Sequence, residues 1–125
     1  GKYIDVNIDF AQNNCDWKEF GISWNNWLYT DISNSIHGVF LQFDIQLDKC
    51  KEAKISIEDY GGKKMWVDAM NFVKSSSKDE WTKVRIPLRK FPIRDSSIDL
   101  KRVKSIVFSF KDKTKLKLDN IILTN

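Results

Sequence analysis

The chain has 125 residues, 42% hydrophobic and 13% aromatic, with a net charge of +4. A chain of this length buries roughly two thirds of the surface its unfolded form exposes, enough for a real core, and residues 1–125 read as one domain. Both signs of charge are interspersed, which argues against a nucleic-acid patch, and no apolar run approaches the roughly 18 residues of a membrane span.

The start, Gly1-Lys2-Tyr3, carries no signal peptide and reads as a mature or excised N-terminus. Ile4, Val6, Ile8 and Phe10 alternate with polar residues and predict a half-buried strand, ended by the turn chemistry of Gln12-Asn13-Asn14. Phe20, Ile22 and Trp24 alternate again. Asn25-Asn26 interrupts, and Trp27-Leu28-Tyr29 follows as a hairpin arm or a bulged strand. Beyond a polar loop, Val39, Leu41, Phe43, Ile45 and Leu47 mark the clearest strand, with Phe40, Gln42, Asp44 and Gln46 on its other face. Ile55 and Ile57 continue the pattern, and Tyr60-Gly61-Gly62-Lys63 turns the chain. Met65, Val67 and Ala69 then oppose Trp66, Asp68 and Met70.

Val84, Ile86 and Leu88 share one face of the next strand, where Pro87 marks an edge or an end. Phe91 to Leu100 is a long connection, and Leu100 to Val103 has room for one helical turn. Ile106, Phe108 and Phe110 alternate with Val107 and Ser109, and a lysine-rich turn leads into the closing strand, Leu116 to Leu123. Lys115 and Lys117 share that strand's exposed face, where lysine commonly guards a sheet edge. Eight or nine short strands at this spacing predict an all-β fold, a two-sheet antiparallel β-sandwich.

Cys15 and Cys50 either close a long loop as a disulfide, contributing roughly 3–4 kcal/mol, or stand as two reduced thiols. With one His they cannot complete a four-ligand zinc site. Trp24, Trp27 and Tyr29 fall within six residues and offer a ring platform for a flat ligand; the phase of Trp24 also suits the core. Trp66 is out of phase with Met65 and stands beside Asp68, so it is expected on the wet face. Trp81 reads as a rim-packing residue, and Trp17 falls in a loop with no strand phase to place it.

A Trp leading into Ile86-Pro87-Leu88, Phe91 after it, the run Asp99-Leu100 to Val103 and Ile106, and the closing Leu118-Asp119-Asn120-Ile121 occur in order. Together they resemble the galactose-binding-like jelly roll of carbohydrate-binding modules, especially family eleven, over about residues 39–124. The resemblance implies a β-glucan chain, β-1,4 or mixed-linkage, lying across a sheet, with rings stacked on sugar faces and polar groups on hydroxyls. It also implies roles for Arg94 and Asp95 and for the carboxylates at Glu58-Asp59, while Asp68 is a candidate from its place beside Trp66 on the wet face. Phe110 stands where the family shows a Tyr, so a ring is kept and a hydroxyl lost. Many such modules hold a structural Ca²⁺, for which Asp119 and Asp9 match two ligands, while Ala11-Gln12 stand where another acid is expected. No other cofactor is implied.

The expected function is therefore non-catalytic polysaccharide binding by a secreted, monomeric module attached to or associated with a glycoside hydrolase, with no nucleic-acid or membrane partner. A small glycosidase would need two carboxylates set apart in a cleft, for which Asp44, Asp59, Asp68 and Asp95 are the candidates, yet no nucleophile motif or Gly-rich loop accompanies them. A protein-interaction domain on the same fold is the other alternative.

Overall fold

The computed structural model describes residues 4–8, 17–23, 31–34, 36–74, 79–111 and 113–124. Asp9, Cys15, Trp24, Trp27 and Tyr29 lie outside the described residues. Eight strands are described: β1 Ile4–Ile8, β2 Lys18–Ser23, β3 Phe40–Lys49, β4 Glu52–Asp59, β5 Lys64–Asp68, β6 Trp81–Pro87, β7 Val103–Lys111 and β8 Thr114–Thr124. They form two four-stranded antiparallel sheets, in the orders β1-β8-β3-β6 and β2-β7-β4-β5. This is the two-sheet sandwich that the alternation predicts.

Period-two alternation sends every second side chain inward. Val6, Leu41, Phe43, Ile45, Val84, Ile86, Leu116 and Leu118 come from the first sheet, and Ala53, Ile55, Ile57, Met65, Val67, Ile106, Phe108 and Phe110 from the second. The layers meet where Phe43 packs edge-on against Phe108, ring centroids 5.6 Å apart. Phe20 stacks on Phe108 and Phe110 at 5.4 and 6.1 Å, which ties edge strand β2 to the core. Pro87 lies on edge strand β6, where a missing N–H costs least.

The Asp119-Asn120 pair interrupts β8 for a structural reason. Pairing runs Gln42 with Ile122 and then Asp44 with Asp119, so β8 carries one extra residue there. Asn120 adopts φ +52°, a left-handed conformation that Asn tolerates, which makes a bulge. Its backbone N–H donates to Asp119 Oδ1 at 2.8 Å, and its Nδ2 donates to Asp44 Oδ2 at 2.8 Å.

Two local expectations change. The helical turn falls at α1, Ile93–Ser96, instead of Leu100 to Val103. Pro92 with its fixed φ precedes α1, and Ser97 ends it at φ +57°. Asp99 instead bends the later segment, accepting from Lys101 N at 3.0 Å, and Val103 is already in β7. Met70 leaves the wet face of β5, because a 3₁₀ turn over Ala69–Phe72 rolls it against the core. Asp68 caps that turn, accepting from Met70 N at 3.0 Å.

Candidate functional site

The outer face of the second sheet is built from three cross-strand rows. They run Glu19–Ser109–Lys54–Asp68, then Gly21–Val107–Ser56–Trp66, then Ser23–Ser105–Glu58–Lys64, from edge strand β2 to edge strand β5. Strand β7 contributes only small residues, while the long side chains come from Glu19 on β2, Lys54 and Glu58 on β4, and Lys64 and Trp66 on β5. Ser56, Ser105, Val107 and Ser109 are all buried, though they point away from the core. An outer face with a buried small-residue floor is the floor of a groove.

Contacts between the edges require the face to be concave. In a flat sheet, three strand spacings of about 4.8 Å and four residues along the strands would hold the backbones of Glu19 and Lys64 roughly 20 Å apart, more than the two side chains span. Yet Lys64 Nζ on β5 lies 3.6 Å from Glu19 Oε1 on β2. Lys54 Nζ sits 4.4 Å from the ring centroid of Trp17, beside β2, and 4.4 Å from that of Trp66 on β5. The two indoles thus flank one ammonium from opposite edges of the sheet.

Trp66 is 49% exposed, as its phase predicts. Glu19 also accepts from Ser109 Oγ at 3.3 Å, and Ser105 Oγ donates to Glu58 Oε2 at 3.5 Å, so the floor hydroxyls hold the wall carboxylates. Glu19, Glu58 and Asp68 face Lys54 and Lys64, giving a groove close to charge balance with donors and acceptors interleaved.

The expected site residues divide. Trp66 and Asp68 share the exposed side of β5. Arg94 and Asp95 are exposed on α1, which lies against β5. Asp59 is not at the surface. It is 2% exposed, because it continues the inward phase of Ile55 and Ile57. Its Oδ1 accepts from Lys63 N at 2.9 Å and its Oδ2 from Asp99 N at 2.8 Å. Burial pushes this carboxyl up, but backbone N–H groups of Asp99, Lys63 and Gly61, with the Lys63 charge, outweigh that and hold it below its ordinary value. Asp59 pins the β4–β5 turn to the loop before β7 and is not a ligand contact.

Cys50 is a free, half-buried thiol, with Sγ 3.7 Å from the Glu52 carbonyl oxygen. Burial pushes its pKa up. Asp119 serves the bulge, and among the described residues no group of three or more His, Cys, Asp or Glu side chains is placed to hold an ion. Phe110, in the position of the family's Tyr, is buried in the core at 2% exposure.

Pattern reading missed Trp17, Glu19, Lys54 and Lys64. The available signal was the run of small residues, Ser105, Val107, Ser109 and Ser56, at outward positions of two strands.

Two cupped antiparallel sheets with indole, carboxylate and ammonium groups on the concave face are the architecture of a non-catalytic carbohydrate-binding module. The chain matches the family Carbohydrate binding domain 30 over residues 4–125 and belongs to that family. A solved family 30 module of the cellulosomal cellulase Cel9D-Cel44B of Clostridium thermocellum is 22% identical, with TM-score 0.81 over 98% of this chain and 74% of that one. A second family 30 structure, also 22% identical, gives a TM-score of 0.84 over 98% of this chain and 75% of that one. The likeness to family eleven is present in the fold as well. The module of Clostridium thermocellum in complex with a β-1,3-1,4-mixed-linked tetrasaccharide is 14% identical, with TM-score 0.51 over 97% of this chain and 95% of that one. No curated protein matches the chain.

Proposed function

We propose that residues 1–125 act as one module whose concave second sheet holds a single β-glucan chain of β-1,4 or mixed linkage. Trp66 carries the reading, because a half-exposed indole faces a second indole across a polar groove. The flat apolar face of an indole covers the C–H face of a glucose ring, while its edge stays polar. Asp68, Glu19 and Glu58 accept from sugar hydroxyls, and Lys54 donates to them. Arg94 and Asp95 extend these contacts along the β5 rim, and Trp24, Trp27 and Tyr29 add further ring surface.

The groove already satisfies itself. Lys64 and Glu19 span it, and Lys54 lies between the indoles. A sugar chain entering must part these contacts, which lowers net affinity and favours ligands that replace them. Binding of this kind falls in the micromolar to millimolar range, roughly −8 to −4 kcal/mol. The benefit is effective concentration: a secreted glycoside hydrolase joined to the module is held beside its insoluble polysaccharide in cellulose degradation. The solved relative from a cellulosomal cellulase and the glucan-bound family 11 module support this reading.

The test is affinity electrophoresis through gels holding mixed-linkage β-glucan, xyloglucan, glucomannan or xylan. Retardation in a β-glucan gel that Trp66→Ala weakens, with folding intact, is the expected result. Migration indifferent to every glycan would overturn the reading.

A further inference from the structure

The groove uses one side of the sandwich, and the opposite face carries a second constellation. Four residues of the first sheet line up in one cross-strand row. Asp5 pairs with Lys117, Lys117 with Gln46, and Gln46 with Trp81. The row crosses all four strands from edge to edge, roughly 14 Å in a sheet of ordinary spacing. It reads, in order, carboxylate, ammonium, amide and indole. Trp81, at its β6 end, is 45% exposed, nearly as much as Trp66.

Asp5, Lys117 and Gln46 of the row border a depression of about 420 Å³, completed by Leu47, Asp48, Asp79, Lys115 and Leu116. That volume lies within the range of small-ligand sites. Two of its polar groups are held in place. Gln46 Nε2 donates to the Asp79 carbonyl oxygen at 2.7 Å, and Lys115 Nζ lies 3.8 Å from Asp48 Oδ2. Asp79 itself holds φ +72°, a left-handed backbone that costs stability and recurs at binding sites.

The lining decides the ligand class. Three carboxylates oppose a phosphate or a sulfated sugar, and two ammonium groups oppose a cation. Among the described residues no metal-holding cluster forms. What remains is a neutral ligand rich in hydroxyls, which both donates to carboxylates and accepts from ammonium and amide groups. An indole at one end of such a row suits the C–H face of a sugar ring. We propose that the row Asp5–Lys117–Gln46–Trp81 and its depression form a second site for a short neutral oligosaccharide, independent of the concave groove. Two sites on opposite faces let one module bridge neighbouring chains of a polymer, multiplying weak affinities by local concentration.

The test is a titration followed by NMR, using the indole N–H signals and the backbone amides of Gln46 and Lys117. Cellotetraose, mixed-linkage glucan tetrasaccharide, xylotetraose and mannotetraose are each added to the wild-type chain, Trp66→Ala, Trp81→Ala and Gln46→Ala. The expected result is a saturable shift at Trp81, Gln46 and Lys117 that survives in Trp66→Ala. Gln46→Ala, which leaves every ring in place, weakens that shift several-fold without altering the response at Trp66. In Trp81→Ala the response at Gln46 and Lys117 is lost while the Trp66 indole still shifts. Shifts confined to Trp66 in the wild-type chain would overturn the second site and leave the groove standing. Silence at both faces with all four sugars would overturn both.

Discussion

Replacing Trp66 by Ala removes the ring on which the concave groove depends, and its effect follows from exposed area. A tryptophan side chain buries roughly 150–250 Å² when fully covered. With Trp66 49% exposed, about 100 Å² remains for a ligand to cover. At about 25 cal/mol per Å² that area is worth at most about 2.5 kcal/mol. Lys54 already occupies part of the ring, its Nζ 4.4 Å from the centroid, so a sugar gains less than the full amount. A loss of about 1–2 kcal/mol remains, or roughly 5- to 30-fold in Kd. Isothermal titration of the two proteins with a soluble mixed-linkage glucan reads that ratio, and thermal unfolding of the free proteins shows whether the variant stays folded. A Kd within two-fold of wild type, with folding retained, would refute the placement of the binding surface on the second sheet.

Lys64→Met should tighten binding of a neutral glucan by up to about five-fold, since an exposed ion pair that the ligand must part is worth roughly 0.2–1 kcal/mol. Wild-type affinity should rise modestly with added salt for the same reason, and weaker binding by the variant in titration calorimetry would make Lys64 a direct ligand contact instead. Asp59→Asn should lower stability by about 1–3 kcal/mol in urea unfolding, because an amide cannot accept from all the backbone N–H groups around it. The folded Asp59 carboxyl titrates below its unfolded value, so its stabilisation is complete above about pH 4 and lost as pH falls through the lower, folded value. Thermal melts of wild type should therefore fall more steeply with acid than those of the variant, and parallel curves would contradict this. Ser97→Gly should raise stability by up to about 1 kcal/mol by relieving its positive φ, as read by the unfolding midpoint. Cys50 should alkylate more slowly with iodoacetamide at pH 8 than a free thiol, because its burial disfavours the thiolate.

The sandwich was legible because its core strands alternate without interruption. Leu41, Phe43 and Ile45, and then Ile106, Phe108 and Phe110, allow no other phase with a dry interior. Trp66 was legible for the same reason, being out of step with Met65 and Val67. The inward position of Asp59 was also there to be read, since it follows Ile55 and Ile57 in phase, but its place in a family motif drew it to the surface. The rest of the groove depends on strand order. Glu19 meets Lys64, and Trp17 meets Lys54, only because β2 and β5 bracket β7 and β4 in one curved sheet. Period-two patterning assigns faces and carries no information about which strands are neighbours. The turn at Ile93–Ser96 was missed because four residues are too few to show a helical period.

The antiparallel pairing of the first and last strands has a practical consequence. Ile4 at the start of β1 lies opposite Leu118, and β8 then continues past that point to Thr124, beside Phe40. The backbone therefore enters β1 from, and leaves β8 toward, the same end of the first sheet, the pole at which β8 finishes. A tag or a second protein fused at either end would hang from that pole like a load on a single hook. A single tether there could swing the whole sandwich without threading across the broad side of either sheet.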